Sequence, residues 1–191
     1  DQTIKVWDAT TGNLISTLKG HMREVNSLSL SADGKWLASG SADGIVKIWE
    51  TANWRELRSL TAHAGAVFAL AFNSDGKLLA SGSADKTAKL WQTSDWQLSK
   101  TFTNPASIHN LNFSADDKSL ATGNSQAVIS LWDVFNGSTI RTLNGASGAV
   151  NSLNFSEDGS RVISAHEDGS LRIWNAANGE LMATAVSIRE S

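Results

Sequence analysis

Five tryptophans recur along the chain at an almost constant interval. They are separated by 42, 42, 41 and 42 residues and stand at Trp7, Trp49, Trp91, Trp132 and Trp174. A fixed interval of about 20–50 residues indicates a repeat protein, in which each copy is one supersecondary unit that buries its apolar face against the next. This constraint outweighs the length of 191 residues, which by itself allows one or two domains.

Each copy carries the same strand patterns. Apolar and polar residues alternate before the Trp, as in 46–48 (VKI) and 171–173 (LRI), which is typical of a strand with one buried face. A second apolar set precedes a turn such as Asp33-Gly34, and Asp-Gly between apolar runs predicts a tight hairpin. Each copy therefore predicts four antiparallel strands, which we name a, b, c and d in chain order. Such sheets bury both faces by stacking, and radial stacking gives a β-propeller.

The repeated segments resemble the WD-repeat β-propeller family. The resemblance is carried by "LASGSADGIVKIWE" (37–50) and "LASGSADKTAKLWQ" (79–92), with "KGH" and "TAH" upstream. It covers essentially the whole chain and rests on five phased copies. It implies an all-β fold of four-stranded blades, but it says less about function, because propellers serve many unrelated roles.

The repeat phase divides residues 1–191 into one propeller segment with a half blade at its start. Residues 1–19 supply strands c and d, the full repeats 1 to 4 span 20–60, 61–103, 104–144 and 145–186, and 187–191 form a tail. This predicts eighteen strands. Because seven blades are usual in the family that the chain resembles, we expect an incomplete arc of a larger propeller, with open blade edges completed by the rest of the chain or another chain. The alternative is a compact ring of the four full blades.

His, Ser, Asp and Trp recur together in the first two full repeats. His21 and His63 each precede an Asp by 22 residues, and that Asp precedes the Trp by 6. The resemblance implies a structural network in which Trp donates to Ser, Ser meets His and His meets Asp. Its members are His21, Ser39, Asp43, Trp49, His63, Ser81, Asp85 and Trp91, followed in the later repeats by Thr122, Trp132, Ser164, Asp168 and Trp174.

The later repeats lack parts of this network. In repeat 3, Gln126 stands where Asp is expected, and the His position falls on Asn104 or Pro105. In repeat 4, Ala146 occupies the His position. We expect these two blades to be less rigid, since each lost hydrogen bond is worth about 1 kcal/mol.

A Ser, a His and an Asp also suggest a hydrolase triad. Phased copies favour the structural interpretation, because a repeat architecture requires them and catalytic sites do not normally repeat. His109 and His166 lie at variable positions without a second ligand at a suitable spacing, which disfavours a metal site. We therefore expect no catalytic residues, no cofactor and no metal.

Charge and composition exclude several classes of partner. A net charge of −3 disfavours nucleic acid and anionic membranes, which need clustered Lys and Arg. The chain has no Cys, so disulfides, thiolate metal sites and cysteine catalysis are excluded. A cytoplasmic location is the expectation, because a chain without disulfides loses nothing there.

The first candidate partner site is the top face, the end of the blades that carries the loops before strand a and between strands b and c. The contact positions that the resemblance implies are Glu24, Asn26, Ala42, Ala66, Phe68, Ala84, Ser107, His109, Ser125, Ala149, Asn151 and Glu167. Phe68 and His109 are the only large rings among them, which favours an aromatic anchor for a peptide. The set has no Arg or Lys, which disfavours a phosphopeptide reader. Burial of Phe68 under neighbouring loops is the alternative.

Three tryptophans mark a second candidate site on the opposite, bottom face. Trp54 and Trp96 occupy the c–d turn, where the other repeats carry Gly, and Trp36 follows the Asp33-Gly34 turn. They predict either an exposed patch that binds a partner or packing over the rim of the blades.

We interpret the chain as a protein–protein interaction scaffold that binds a protein or peptide and has no catalytic activity of its own. One alternative is a sensor or autoinhibitory module of a larger multidomain signalling protein. Another is a propeller-based hydrolase, for which the top face offers only Glu24 and Glu167, in non-adjacent repeats.

Overall fold

All regular secondary structure in the described part of the chain is β-strand. The computed structural model describes residues 1–145 and 147–186, so Ala146 and the tail 187–191 lie outside the described residues. The half blade consists of β1 (Ile4–Trp7) and β2 (Leu14–Leu18); blade 1 of β3 (Val25–Leu30), β4 (Trp36–Ser41), β5 (Ile45–Glu50) and β6 (Arg55–Thr61); blade 2 of β7 (Val67–Phe72), β8 (Leu78–Ser83), β9 (Thr87–Gln92) and β10 (Leu98–Thr103); blade 3 of β11 (Ile108–Phe113), β12 (Ser119–Asn124), β13 (Ile129–Asp133) and β14 (Thr139–Leu143); and blade 4 of β15 (Val150–Phe155), β16 (Arg161–His166), β17 (Ser170–Asn175) and β18 (Leu181–Val186).

The strands of each blade pair in chain order. Every full blade is a four-stranded antiparallel sheet with the order a-b-c-d, and the half blade is a two-stranded sheet. These 18 strands confirm the predicted all-β propeller blades. Short hairpins connect antiparallel neighbours, which explains why the Asp-Gly turns follow the apolar strand a in three of the four repeats.

Strand a of every full blade carries a β-bulge near its start. In blade 2, Val67 pairs with Ser83 and Ala69 pairs with Gly82, so Phe68 is the extra residue between them. His109 occupies the same place in blade 3. A bulge leaves its extra residue out of the ladder and re-aims the side chain. The bulges therefore position the top-face candidates Phe68 and His109.

The core lies between consecutive blades rather than within one sheet. Val46 and Ile48 of blade 1 pack against Val67 and Leu79 of blade 2, and all four side chains are fully buried. Equivalent clusters join blade 2 to blade 3, and blade 3 to blade 4. Gly82 allows this close approach, since a Cβ there would lie 2.7 Å from Ile108 of the next blade.

The sheets do not close into a ring. Each hydrophobic cluster joins blades that are consecutive in the chain, from the half blade to blade 4. Apolar side chains stay exposed toward the two ends of this arc, among them Trp7 and Leu30 near its start and Leu171 in blade 4. The expected open arc is confirmed, and the compact ring of four full blades is not formed.

Candidate functional site

A chain of hydrogen bonds in blade 2 joins Trp91, Ser81, His63 and Asp85. The indole N–H of Trp91 donates to Ser81 Oγ at 3.0 Å, Ser81 Oγ lies 2.8 Å from His63 Nε2, and His63 Nδ1 lies 3.0 Å from Asp85 Oδ2. An indole can only donate and a carboxylate can only accept. The Ser81 hydroxyl therefore donates to Nε2, and a neutral His63 donates through its Nδ1–H.

Blade 1 repeats this arrangement. Trp49 donates to Ser39 Oγ at 2.8 Å, Ser39 lies 2.8 Å from His21 Nε2, and His21 Nδ1 lies 3.2 Å from Asp43 Oδ2. Asp43 also accepts the backbone N–H of Met22 at 2.9 Å. The carboxylate at the b–c turn thus holds the loop that leads into strand a.

Burial and hydrogen bonding set the charges in blade 2. Burial lowers the pKa of His63 below its ordinary value, although the neighbouring Asp85 opposes this shift. Burial also opposes ionisation of Asp85, but hydrogen bonds from Thr87 and the attraction of His63 outweigh it and lower the pKa of Asp85 to about 2. With His63 neutral and Asp85 ionised, the Nδ1–H donates to the carboxylate and Nε2 accepts from the Ser81 hydroxyl.

The serines of this network are closed off from solvent. Ser39 and Ser81 are 0% exposed, and each hydroxyl already bonds an indole and an imidazole. A triad serine has to reach a substrate carbonyl. The geometry instead ties strands b and c to the top loops.

Blade 3 retains the hydrogen bond from the indole to strand b, but the His and Asp of the network are absent from it. Trp132 donates to Thr122 Oγ1 at 2.9 Å, and Thr122 Oγ1 lies 3.5 Å from Asn104 Oδ1. Of the two sequence alternatives for the His position, Asn104 is buried and Pro105 is exposed. Gln126 is exposed, so its side chain does not take the part of the network Asp.

Blade 4 supplies its imidazole from strand b. Trp174 donates to Ser164 Oγ at 2.9 Å, and His166 Nε2 lies 2.8 Å from the same oxygen. His166 is buried, and burial lowers its pKa. Sequence reasoning treated His166 as variable and missed this contact. The signal was its spacing, because residues two apart on a strand face the same side.

Asp168 does not bind a histidine as Asp43 and Asp85 do, and it has other hydrogen-bond partners. Its carboxylate accepts from the backbone N–H of Ser170 and the hydroxyl of Ser147, both at 2.8 Å, and from Arg172 at 3.3 Å. Hydrogen bonds from Ser170 hold the pKa of Asp168 well below its usual range. The b–c turn of blade 4 is therefore held by hydroxyl and guanidinium groups. Ala146, the residue at the sequence-predicted His position, lies outside the described residues.

Phe68 and His109 meet across the boundary between blades 2 and 3. Their ring centroids are 5.1 Å apart and the planes are inclined at 77°, an edge-to-face contact. Both residues are half-buried, so each ring remains accessible in part.

The other top-face candidates differ in polarity and in exposure to solvent. Asn26 is exposed and donates to the Val67 carbonyl of the next blade at 3.1 Å. Its exposed companions are Glu24, Ser125, Asn151 and Glu167. The half-buried members are Ala42, Ala66, Ala84 and Ser107, and Ala149 is buried.

The three bottom-face tryptophans are packed between blades. Trp96 is 7% exposed and meets Trp36 edge-to-face, with 6.2 Å between the ring centroids. Trp54 packs with Ile4 and Leu18 in the cluster that joins the half blade to blade 1. The rings thus lie in two separate clusters, which is packing at the blade boundaries rather than one exposed patch.

Two further classes of site are absent from the described part of the chain. Across 1–145 and 147–186, no His, Cys, Asp and Glu side chains gather in a group of three or more that could hold a metal ion. The same ranges contain no helix of the length and apolar character needed to cross a membrane.

The comparison with protein families decides the identity of the fold. The family described as the IFT122 first beta-propeller matches residues 1–187. The chain belongs to this family of WD-repeat β-propellers. WD-repeat propellers generally mediate protein–protein interactions, which is the level at which the family informs function.

Curated relatives match about one repeat each. Nuclear distribution protein PAC1 of Coccidioides posadasii is 44% identical over 43 residues, which cover 22% of this chain and 9% of the relative. The guanine nucleotide-binding protein subunit beta of Schizosaccharomyces pombe is also 44% identical over 43 residues, 22% of this chain and 14% of the relative. The Lissencephaly-1 homolog of Caenorhabditis briggsae is 57% identical over 37 residues, 19% of this chain and 10% of the relative. The matched segments therefore span a small part of each relative.

Proposed function

We propose that this chain is a protein-interaction scaffold whose top face binds a protein or peptide through Phe68 and His109. The observation that carries the proposal is their edge-to-face pair, half-exposed on the bulges of two adjacent blades. Interface hot spots are enriched in large side chains that are partly enclosed before binding and sealed by the partner. An anchor side chain of the partner packs against the open side of this pair.

The surround of the pair defines the partner further. Asn26 and Asn151 offer amide groups, and Glu24 and Glu167 place carboxylates among the exposed candidates. These side chains favour a neutral or basic peptide over an acidic or phosphorylated one, because the candidate set contains no Arg or Lys. Nucleic acid and anionic membranes are not partners in this proposal, which the net charge of −3 supports.

The scaffold role is preferred over the two alternatives. A hydrolase would need an accessible serine or a pair of neighbouring carboxylates. Ser39 and Ser81 are buried, and Glu24 and Glu167 belong to the non-adjacent blades 1 and 4. A sensor or autoinhibitory module would use the same top face. It would differ from a scaffold in being one domain of a larger multidomain signalling protein. We place the protein in the cytoplasm, which its lack of Cys supports.

Affinity capture with matched variants tests the proposal. The 191-residue chain and its Phe68→Ala variant are used as baits, and captured proteins are identified by mass spectrometry and ranked by binding isotherms. Phe68→Ala is expected to weaken a direct partner by about 2 kcal/mol or more. Phe135→Ala is the control, since Phe135 is 90% exposed on the bottom face. If Phe135→Ala weakens binding and Phe68→Ala leaves the affinity unchanged, the binding site lies on the bottom face.

A further inference from the structure

A cavity of about 360 Å³ opens on the bottom face between blades 3 and 4. Its apolar wall includes Leu131 and Ile140 of blade 3 and Phe155 of blade 4. It lies at the opposite end of the blades from Phe68 and His109, because the a–b turns line it. The inference drawn from it does not depend on the proposed top-face site.

The corresponding gap between blades 1 and 2 is filled by two indoles. Trp36 begins strand b of blade 1, and Trp96 stands in the c–d turn of blade 2. At the same repeat positions, blade 3 carries Ser119 and blade 4 carries Gly179. Both members of the indole pair are therefore replaced by small residues, and Ser119, at the position of Trp36, lines the cavity.

The turn backbone is the same in the filled and open gaps. Trp96 takes a φ of +61° and Gly179 a φ of +79°, both in the left-handed region. An L-residue in this region costs roughly 1–2 kcal/mol, so Trp96 occupies a strained position while filling its gap. Gly179 avoids that strain and carries no side chain into the gap between blades 3 and 4.

Arg141 forms one boundary of the open gap. Its guanidinium donates to the carbonyls of Asn178 at 2.9 Å and Ala177 at 2.7 Å. The stem of Arg141 runs past Gly179, where an added Cβ would lie 2.6 Å from Arg141 Cδ. The stem of Arg141 thus occupies the space beside Gly179 and lies outside the lining of the cavity.

The rim of the cavity is acidic. Asp116, Glu157 and Asp158 line it, and Arg161, outside the lining, borders an adjoining surface hollow together with Glu157 and Asp158. Lys118 neutralises Asp116 in part, with 3.4 Å between their charged atoms, and both groups are exposed. An apolar floor with a carboxylate rim is complementary to an aromatic side chain flanked by cations.

We propose that the cavity between blades 3 and 4 binds a tryptophan side chain of a basic peptide. The indole fills the space that corresponds to that of Trp36 between blades 1 and 2, and Lys residues beside it face Asp116, Glu157 and Asp158.

Calorimetric titration of the whole chain with short peptides tests this assignment. The probe is acetyl-Lys-Trp-Lys-amide, and acetyl-Lys-Ala-Lys-amide and acetyl-Glu-Trp-Glu-amide are the comparisons. Because burial of an indole supplies most of the affinity, the Trp peptide is expected to bind about ten-fold or more tightly than the Ala peptide. The Glu peptide is expected to bind more weakly than the Lys peptide at low salt.

Two variants locate the binding. Ser119→Trp refills the gap in the manner of Trp36 and is expected to reduce binding by about ten-fold or more. Ser94→Trp adds an indole at an exposed bottom-face position of blade 2 and should leave binding unchanged. Glu157→Gln removes one rim charge from an exposed position, and a several-fold loss at low salt is expected. Equal binding of the Trp and Ala peptides would overturn the proposal, and so would unchanged binding to both Ser119→Trp and Glu157→Gln.

Discussion

The carboxylate of Asp117 in the a–b turn of blade 3 accepts a hydrogen bond of 2.6 Å from the hydroxyl of Ser74 in the a–b turn of blade 2. It also accepts the backbone N–H of Ser74 at 3.0 Å and the side-chain amide of Asn73 at 3.1 Å. The other full repeats carry Gly at this turn position, and Asp117 adopts a left-handed φ of +58°. A less favourable turn residue thus links two blades.

Asp117→Gly is expected to destabilise the protein although it removes the backbone strain of the left-handed conformation at this position. Glycine removes a left-handed strain of roughly 1–2 kcal/mol, but it abolishes three hydrogen bonds to an ionised acceptor, each worth about 1 kcal/mol or more. We expect a net loss of about 1–2 kcal/mol in the free energy of unfolding, measured by urea denaturation.

Lys86→Gly provides the matched control for this prediction. Lys86 is exposed and takes a φ of +71° in the b–c turn of blade 2. The substitution should stabilise the protein by about 0.5–1 kcal/mol, since strain is removed at the smaller cost of chain entropy. Stabilisation by both glycine variants would show that the link from Asp117 to Ser74 contributes nothing.

His63→Ala is expected to lower the free energy of unfolding by roughly 1–3 kcal/mol, because Ser81 and Asp85 lose their shared partner. His63→Asn should cost less, since blade 3 places Asn104 at this position of its own network. Circular dichroism during urea denaturation measures both. If an enzymatic activity were found and then lost in His63→Asn at unchanged stability, the triad interpretation would regain support.

Acid should weaken the fold in two stages. The pKa of His63 is lowered by burial, so the unfolded chain binds more protons than the folded chain as the pH falls below about 6.5, and stability declines there. The pKa of Asp85 is about 2, so its contribution is present above pH 4 and is lost as the pH falls toward 2.

The urea midpoint between pH 7.5 and pH 5 isolates the histidine stage. The midpoint of the parent chain should fall more steeply than that of His63→Asn, because that variant has no imidazole to protonate at this site. His166 has the same sign of shift, so the steepness should decrease again in the double variant with His166→Ser. Parallel slopes in all three proteins would contradict the assignment of neutral histidines.

His166→Ser tests the contact that the repeat pattern conceals. Repeats 1 and 2 carry Ser41 and Ser83 at this position, so a comparison of repeats rates the substitution as neutral. The structure predicts a loss of about 1–3 kcal/mol, since a buried ring that bonds Ser164 would be replaced by a cavity. Thermal unfolding measures the difference, and His109→Ser serves as the half-buried comparison.

Repetition made much of this fold predictable from the sequence. The spacing of five tryptophans and the Asp-Gly turns specify strand order, because each copy presents the same alternation to the same neighbour. His21 and His63 followed from the same logic. The order of the four strands in each blade therefore needed no information from outside the repeat.

The contacts of residues that depart from the repeat could not be predicted from the sequence pattern. In the sequence, Asp117 shows only that the turn glycine is absent from repeat 3, because its partner Ser74 lies in another blade and no local pattern links the two. His166 read as a variable residue, although it supplies an imidazole from a different strand. Trp54 and Trp96 read as turn residues that could be exposed, and their burial depends on the adjacent blade. Such contacts depend on packing between copies, which periodicity within one copy does not describe.

The open faces of the arc lead to the last prediction. Leu28 in strand a of blade 1 is 50% exposed, whereas the equivalent Leu70 and Leu111 of blades 2 and 3 are buried against the preceding blade. Leu30 is 57% exposed, whereas the equivalent Phe113 of blade 3 is buried. The half blade provides only strands c and d, so it has no strands a and b to cover Leu28 and Leu30 in strand a of blade 1. In blade 4, Leu171 is 43% exposed at the position where Val46 and Ala88 are fully buried. Exposed apolar surface of this extent recruits a partner or aggregates.

We expect the isolated 191-residue chain to self-associate in light scattering, with a mass that rises with concentration. The combination of Leu30→Lys with Leu171→Lys is expected to reduce that association. Leu57→Lys is the control, since Leu57 is exposed on the outer strand of blade 1. A concentration-independent monomer with a sharp unfolding transition would mean that the two ends are satisfied within the chain itself.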